Sequence, residues 1–416
     1  MGASRRGWRR GLWRHRDFLL LWSAQGISAV GSRVTRTALP MAAILVIGAG
    51  AFDLGLIAAA ATLPGVLIAF AGGGWVDRHR RRPVLIGTDL VRAGALATIP
   101  LAAWAGMLSL PLLIAVAAVT GLARVLFELA DHVYITDLVG RKRLLDANGK
   151  REALDSIAEI SGPALGGALV AWLTAPFAIA VDAASFVVSA LLVGRIEKRE
   201  VSHAPQAATS VLADIRTGVA SIWRLPPVRA LFLATAMLTF VMSFMASLYT
   251  LYALTDLHLS PAQLGIAIGC GGIGGLAGAA LAAPTAARFG ARRTLLGALL
   301  VGAAMQVLIP LAPPVPAIAM MFLVGTQVIG DGALTVYMVN ETTLRQRLLP
   351  PAALGRAAAA WQVANGVLTP IGALAGALLA EAIGMRPTLF ALAAGLFAAA
   401  LCLYAAGRTL RNVDSA

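Results

Sequence analysis

Asp155 and Glu159 stand four residues apart beside a long apolar stretch, so on a helix both carboxylates face one side. A carboxylic acid in a low-dielectric setting keeps its proton to higher pH than one in water, and gives it up when water arrives. That is proton-carrier chemistry, and Glu159 is the first residue to expect it from. Glu128 and Asp131 come second. With Arg124 they occupy i, i+4 and i+7 of another apolar stretch, and the alternative is that they only neutralise that arginine. Asp182 and Asp331 are lone acids in two further apolar stretches, while Asp89 and Arg92, three apart, are expected to pair. Gln25, Arg33, Arg36, Arg124, Gln362 and Asn365, with the two lone acids, are candidates to line a substrate cavity. The arginines among them suit an anionic or multiply hydroxylated ligand; equally, one in the first span would bind Asp182 or Asp331.

Other chemistries find no support in the residue pattern. The two cysteines, Cys270 and Cys402, both lie in apolar runs, so neither a disulfide framework nor a thiolate metal site is expected. The five histidines form no His-x-x-x-His pair, and no glycine-rich loop ends in Lys-Ser/Thr to cradle a nucleotide. The chain is therefore read as a non-enzyme with no metal or cofactor. Any work it does must draw on an ion gradient, a partner or a ligand's own gradient.

These polar residues sit in a setting that is 59% hydrophobic and 13% charged, with mean hydropathy +0.80, far more apolar than a soluble globular chain. A helix needs about 20 mainly apolar residues to cross ~30 Å of hydrocarbon. Twelve such segments are read at about 17–47, 54–76, 83–106, 109–132, 152–173, 176–195, 227–252, 261–285, 292–312, 315–338, 352–381 and 385–407. The longest connection, 196–226, is polar, with an amphipathic helix expected over Val211–Trp223; it divides the chain into 1–195 and 227–416.

Charge placement sets an orientation. All but five of the 34 lysines and arginines lie at the termini or in alternate connections. Arg33, Arg36, Arg92 and Arg124 fall inside spans, and Arg386 stands on the opposite side. The positive-inside rule then makes both termini and the 196–226 connection cytoplasmic in a cell membrane. Only an even number of spans allows that. The net charge of +14 is accounted for by topology and anionic lipid headgroups, so nucleic acid is not an expected partner. The run Ser4-Arg5-Arg6-Gly7-Trp8-Arg9-Arg10 is read as the flank of a retained first span, because Arg33 and Arg36 interrupt the following apolar stretch.

Two motifs and a repeat carry a family resemblance. The connection after the second span reads Gly73-x-x-x-Asp77-Arg78-x-x-Arg81-Arg82, and the fifth span holds Gly162-Pro163-x-x-Gly166-Gly167. Arg81-Arg82 returns as Arg292-Arg293, and Gly162-Pro163 is answered by Thr369-Pro370, offsets of 211 and 207 against half of 416. The chain resembles the major facilitator superfamily of transporters, in particular its twelve-span drug/proton antiporters, among which macrolide-efflux proteins and the enterobactin exporter look similar. The resemblance implies an all-α polytopic membrane protein of two pseudo-symmetric six-helix halves, with substrate bound near the midplane between them. It further implies that Gly73, Asp77, Arg78, Arg81 and Arg82 act as a conformational latch. Gly162, Pro163, Gly166 and Gly167 match the antiporter signature, whereas only Arg124 survives of the family's span-four Arg-x-x-Gln-Gly pattern. The implied activity is export of a small amphipathic compound in exchange for protons by a monomer; the rivals are a nutrient or lipid importer and a transport-inactive scaffold or sensor.

Overall fold

The computed structural model describes residues 12–198 and 211–406, without the side chains of residues 67, 69–78, 141, 211–214 and 352. Its helices are α1 (Arg16–Ile47), α2 (Ala51–Arg78), α3 (Arg81–Trp104), α4 (Leu110–Val139), α5 (Leu144–Leu173) and α6 (Ala175–Gly194). They continue with α7 (Val211–Arg224), α8 (Pro226–Thr255), α9 (Pro261–Phe289), α10 (Ala291–Leu311), α11 (Pro316–Leu348), α12 (Pro351–Ile383) and α13 (Met385–Ala405). Among the described residues, eleven helices are long and apolar enough to cross a membrane. α2, with 28 residues, accounts for the remaining expected span, and α7 is the amphipathic helix of the long connection.

Contacts divide the chain into one unit of Met1–Ile47 with Ala60–Ala208 and another of Gly48–Ala59 with Thr209–Ala416. In the first unit, α1 packs on α5 and α6, and α3 on α4 and α6. Phe18, Leu21, Leu85, Tyr134 and Val193 form part of its core. Its arginine-rich end is tied by cations seated on helix carboxyl ends, where carbonyls lack intrahelical partners. Arg82 donates to the carbonyls of Val193 and Gly194 at the end of α6, and Lys198 Nζ donates to those of Asp137 and Leu138 at the end of α4. Asp17, at the start of α1, accepts from the backbone N–H groups of Glu197 and Lys198.

In the second unit, α9 lies close against α11 because a Cβ at Gly278 would run into the carbonyl of Gly332, and one at Gly274 would stand 2.6 Å from that of Gln327. α12 approaches α8 in the same way through Gly372 and Gly376, and α7 rests on α12 where Gly218 meets the Arg356 carbonyl. α11 contains a π-helical turn at Thr326–Gly330, directly before Asp331. One turn conformation recurs between helices: Gly140, Thr174, Gly290 and Gly384 have φ/ψ of 75°/155°, 77°/160°, 79°/157° and 91°/161°. That region is nearly reserved for glycine, so Thr174 is a strained position.

Arg386, the arginine on the poorly charged side, is a tie between helices. Its Nε donates to Tyr252 Oη at 2.9 Å and its Nη2 to the Ala312 carbonyl at 3.3 Å, joining α13 to α8 and to the end of α10. Hydrogen bonds from a charged donor contribute about 1.5–3 kcal/mol. Arg386→Ala is therefore expected to lower the melting temperature of the purified protein by several degrees, with Arg386→Lys intermediate. Identical melting curves for all three would deny the tie any energetic weight.

Candidate functional site

The charged residues of the first unit converge on one face of α5. Arg151, Asp155 and Glu159 recur every four residues, so they stack along one stripe, which continues through Gly162 and Gly166. Asp131 of α4, fully buried, accepts from Gln25 Nε2 of α1 at 2.5 Å and pairs with Arg151 Nη1 at 2.5 Å. Asp155 Oδ2 stands 4.0 Å from Arg151 Nε. One turn further, Glu159 forms an ion pair with Arg33 of α1; the side chains are 48% and 21% exposed. Across on α4, Arg124 Nε pairs with Glu128 Oε1 at 2.8 Å, both half-exposed. Arg36, exposed on α1, lies within the electrostatic reach of Arg33, Arg124, Glu159 and Glu128. The three helices together present four arginines, Arg33, Arg36, Arg124 and Arg151, and four acids, Glu128, Asp131, Asp155 and Glu159.

The glycines explain why Glu159 and Arg33 meet. A Cβ at Gly162 would overlap the Cβ of Arg33, and one at Gly166 would stand 3.2 Å from Thr37 Cβ and Val34 Cα. α1 and α5 therefore touch backbone to backbone at this level. Pro163, buried with both glycines, has no N–H to give to the Glu159 carbonyl four residues earlier, which loosens the helix at the acid. The signature element packs within its own unit, against α1.

Several expectations change. Asp131 does not neutralise Arg124; Glu128 does, while Asp131 faces α5 and is held by Arg151. Gln25 is buried as the donor to Asp131. Arg33 is held by Glu159. Asp182 is 1% exposed, with Ser185 Oγ donating at 3.0 Å, and so lies inside the packing of α1 and α6. Asp89 and Arg92 pair as expected, at 2.6 Å, with Ser189 Oγ on the second carboxylate oxygen and the guanidinium held between Phe127 and Phe186. Arg81 is buried and Arg82 caps α6, whereas the side chains of Asp77 and Arg78, like Gly73, fall outside the described residues. In the second unit Asp331 is half-buried, its carboxylate filling the space beside Gly271; Asn365 accepts from Thr239 at 3.1 Å, and Gln362 is exposed. An apolar groove of about 670 Å³ between α3 and α4, lined by Val84, Val91, Leu122 and Leu126, contains none of these paired charges. Among the described residues no group of three or more His, Cys, Asp or Glu is placed to hold a metal.

A family model described as Major Facilitator Superfamily matches residues 21–330 and 231–414. This chain belongs to that superfamily. The multidrug efflux pump Tap of Mycolicibacterium fortuitum is 29% identical over 384 residues, covering 90% of this chain and 91% of Tap. Macrolide efflux protein A of Streptococcus pyogenes is 23% identical over 378 residues, covering 89% and 90%. In fold, the chain is similar to the inward-facing crystal structure of a bacterial homologue of the iron transporter ferroportin, with TM-score 0.76 and 19% identity over 95% of this chain and 99% of that one. The nucleoside transporter NupG gives TM-score 0.73 at 13% identity, covering 94% and 98%. The all-α polytopic architecture expected of a major facilitator chain is therefore the one present.

Two site features of this superfamily member escaped the sequence reading. Arg151 is one of the many cations in the connections, and its position four residues before Asp155 is what signals a shared face. The Arg33–Glu159 pair joins separate spans; its only advance sign is a glycine, Gly162, spaced to admit another helix.

Proposed function

We propose that the chain is a secondary transporter that exports small amphipathic compounds, antibiotics or similar molecules, by alternating access in exchange for protons. The observation carrying this reading is the Arg33–Glu159 ion pair, part-exposed within two spans and built beside Gly162-Pro163. An intramembrane ionisable pair is expensive and marks a transport pathway. A proton on Glu159 would release Arg33, and its departure would restore the pair, so one carboxyl can report ion occupancy to two helices. The efflux pumps to which the chain is similar over nine-tenths of its length support the cargo class and direction. Arg36 and Arg124 in the first unit, and Asp331, Gln362 and Asn365 in the second, are assigned to the cargo; Asp77 with Arg78 is assigned to the latch. The protein acts as a monomer in the cell membrane, with both termini and the 196–226 connection in the cytoplasm.

The direct test is accumulation of erythromycin, tetracycline and ethidium in pump-deficient bacteria with and without the protein. At least one compound should accumulate several-fold less when the protein is made, and a protonophore should abolish the difference. Higher accumulation would mean import, and a difference that survives the protonophore would remove proton coupling.

A further inference from the structure

Beyond the α5 site, the first unit buries a second group of charges whose count does not balance. Asp89 and Arg92 on α3 and Asp182 on α6 are 0%, 7% and 1% exposed. Arg92 is committed: it pairs with Asp89 at 2.6 Å and is stacked between Phe127, 4.6 Å away, and Phe186, 4.2 Å away. Asp89 is satisfied by Arg92 and by Ser189 Oγ. Asp182 has no such partner. Among the described residues no basic side chain lies within ion-pair distance of it; Arg92 and Asp89 act on it only from further away. Ser185 Oγ donates to it, and Thr35 Oγ1 of α1 faces it, buried and without a hydrogen bond of normal geometry. The niche is shaped for the carboxyl, since a Cβ at Gly31 of α1 would collide with Asp182 Oδ1 and Ser185 Oγ. Asp182 lies seven residues inside α6, ~10 Å from the helix start, at a depth where lipid surrounds the bundle.

A buried carboxylate with only hydroxyl partners is not sustainable as a bare anion, because neutral hydroxyls do not replace the hydration lost. Two acids and one guanidinium leave one negative charge uncovered. We propose that the Gly31–Thr35–Asp182–Ser185 niche binds one monovalent cation, H⁺ or Na⁺, which completes the charge balance of the Asp89–Arg92–Asp182 group. Thr35 Oγ1, Ser185 Oγ and the carboxylate supply oxygens for sodium; for a proton, the carboxyl itself suffices. This site is separate from Glu159 and does not depend on what the protein transports.

Purified full-length protein in lipid nanodiscs at neutral pH tests it in two arms. In sodium-free buffer, infrared difference spectroscopy reads the carbonyl stretch of a protonated carboxyl; in a parallel sample, equilibrium binding of ²²Na⁺ reads sodium. The wild type should show one of these signals at about one equivalent per chain, identifying the cation, and Asp182→Asn should lose it while keeping the Ser185 hydrogen bond. Asp89→Asn provides a second variant if the first fails to fold: it removes one of the two acids, so that Arg92 alone balances Asp182 and the signal should vanish again. Absence of both signals in the wild type, or persistence of the signal in either folded variant, overturns the proposal.

Discussion

Glu159→Gln is expected to reduce transport driven by a pH gradient to background in reconstituted inside-out vesicles, while exchange of cargo down its own gradient continues. The amide has the shape of the acid but cannot exchange a proton, so any step that requires Glu159 to alternate between charged and neutral forms stops. The substitution also leaves Arg33, 21% exposed, without its partner, which lowers stability. Lower protein yield would therefore be an ambiguous result alone. Combining Glu159→Gln with Arg33→Gln removes both charges and should recover yield without recovering gradient-driven transport. Glu128→Gln, which breaks only the half-exposed Arg124 pair, should retain most activity. Undiminished gradient-driven uptake by the Glu159→Gln protein would move the coupling site elsewhere.

Gly162→Val should be the most damaging single change in the α1–α5 contact. A Cβ there overlaps Arg33 Cβ, and the nearest atoms include the Arg33 backbone, which cannot step aside without moving α1. Overpacking of this kind costs about 1–3 kcal/mol and sometimes more; here it also separates Arg33 from Glu159. Little folded protein should be recovered. Gly166→Ala forms the graded control, since its Cβ would stand 3.2–3.3 Å from Thr37 and Val34, a squeeze a few tenths of an ångström of adjustment relieves. It should yield folded protein with reduced transport rate. Fluorescence-detected size exclusion separates the two effects, and normal yield of Gly162→Val would contradict the close approach.

Hydropathy made the spans legible because burial in lipid demands long apolar runs whatever the tertiary packing. Helix ends were less legible. α5 begins at Leu144 and not near 152, and α11 runs to Leu348, ten residues past the apolar stretch, because hydropathy marks where the membrane stops and charged residues continue a helix readily. No residue type announces the π turn at Thr326–Gly330, whose Gln327 and Val328 carbonyls lie against Gly274 of α9. Glu159 stood out as an acid beside apolar sequence. Its partner did not, since the choice of Arg33 over other arginines depends on the level at which Gly162 lets two helices cross. Spacing correctly put Arg124 and Glu128 together, but assigned Asp131 to the same partner when a three-residue step turned it toward Arg151.

The balanced set of four arginines and four acids along α1, α4 and α5 carries a consequence for which compounds can be exchanged against protons. Linkage is reciprocal: whatever a bound proton does to the affinity for cargo, cargo does to the affinity for the proton. If Glu159 takes up the proton, the set gains a positive charge. An anionic group seated there would then bind more tightly with the proton than without it, and the two would travel together. A cationic group would be repelled by the same proton, so each would displace the other, which is what exchange requires. Amine-bearing and carboxylate-bearing amphiphiles should therefore respond with opposite sign to one imposed pH gradient.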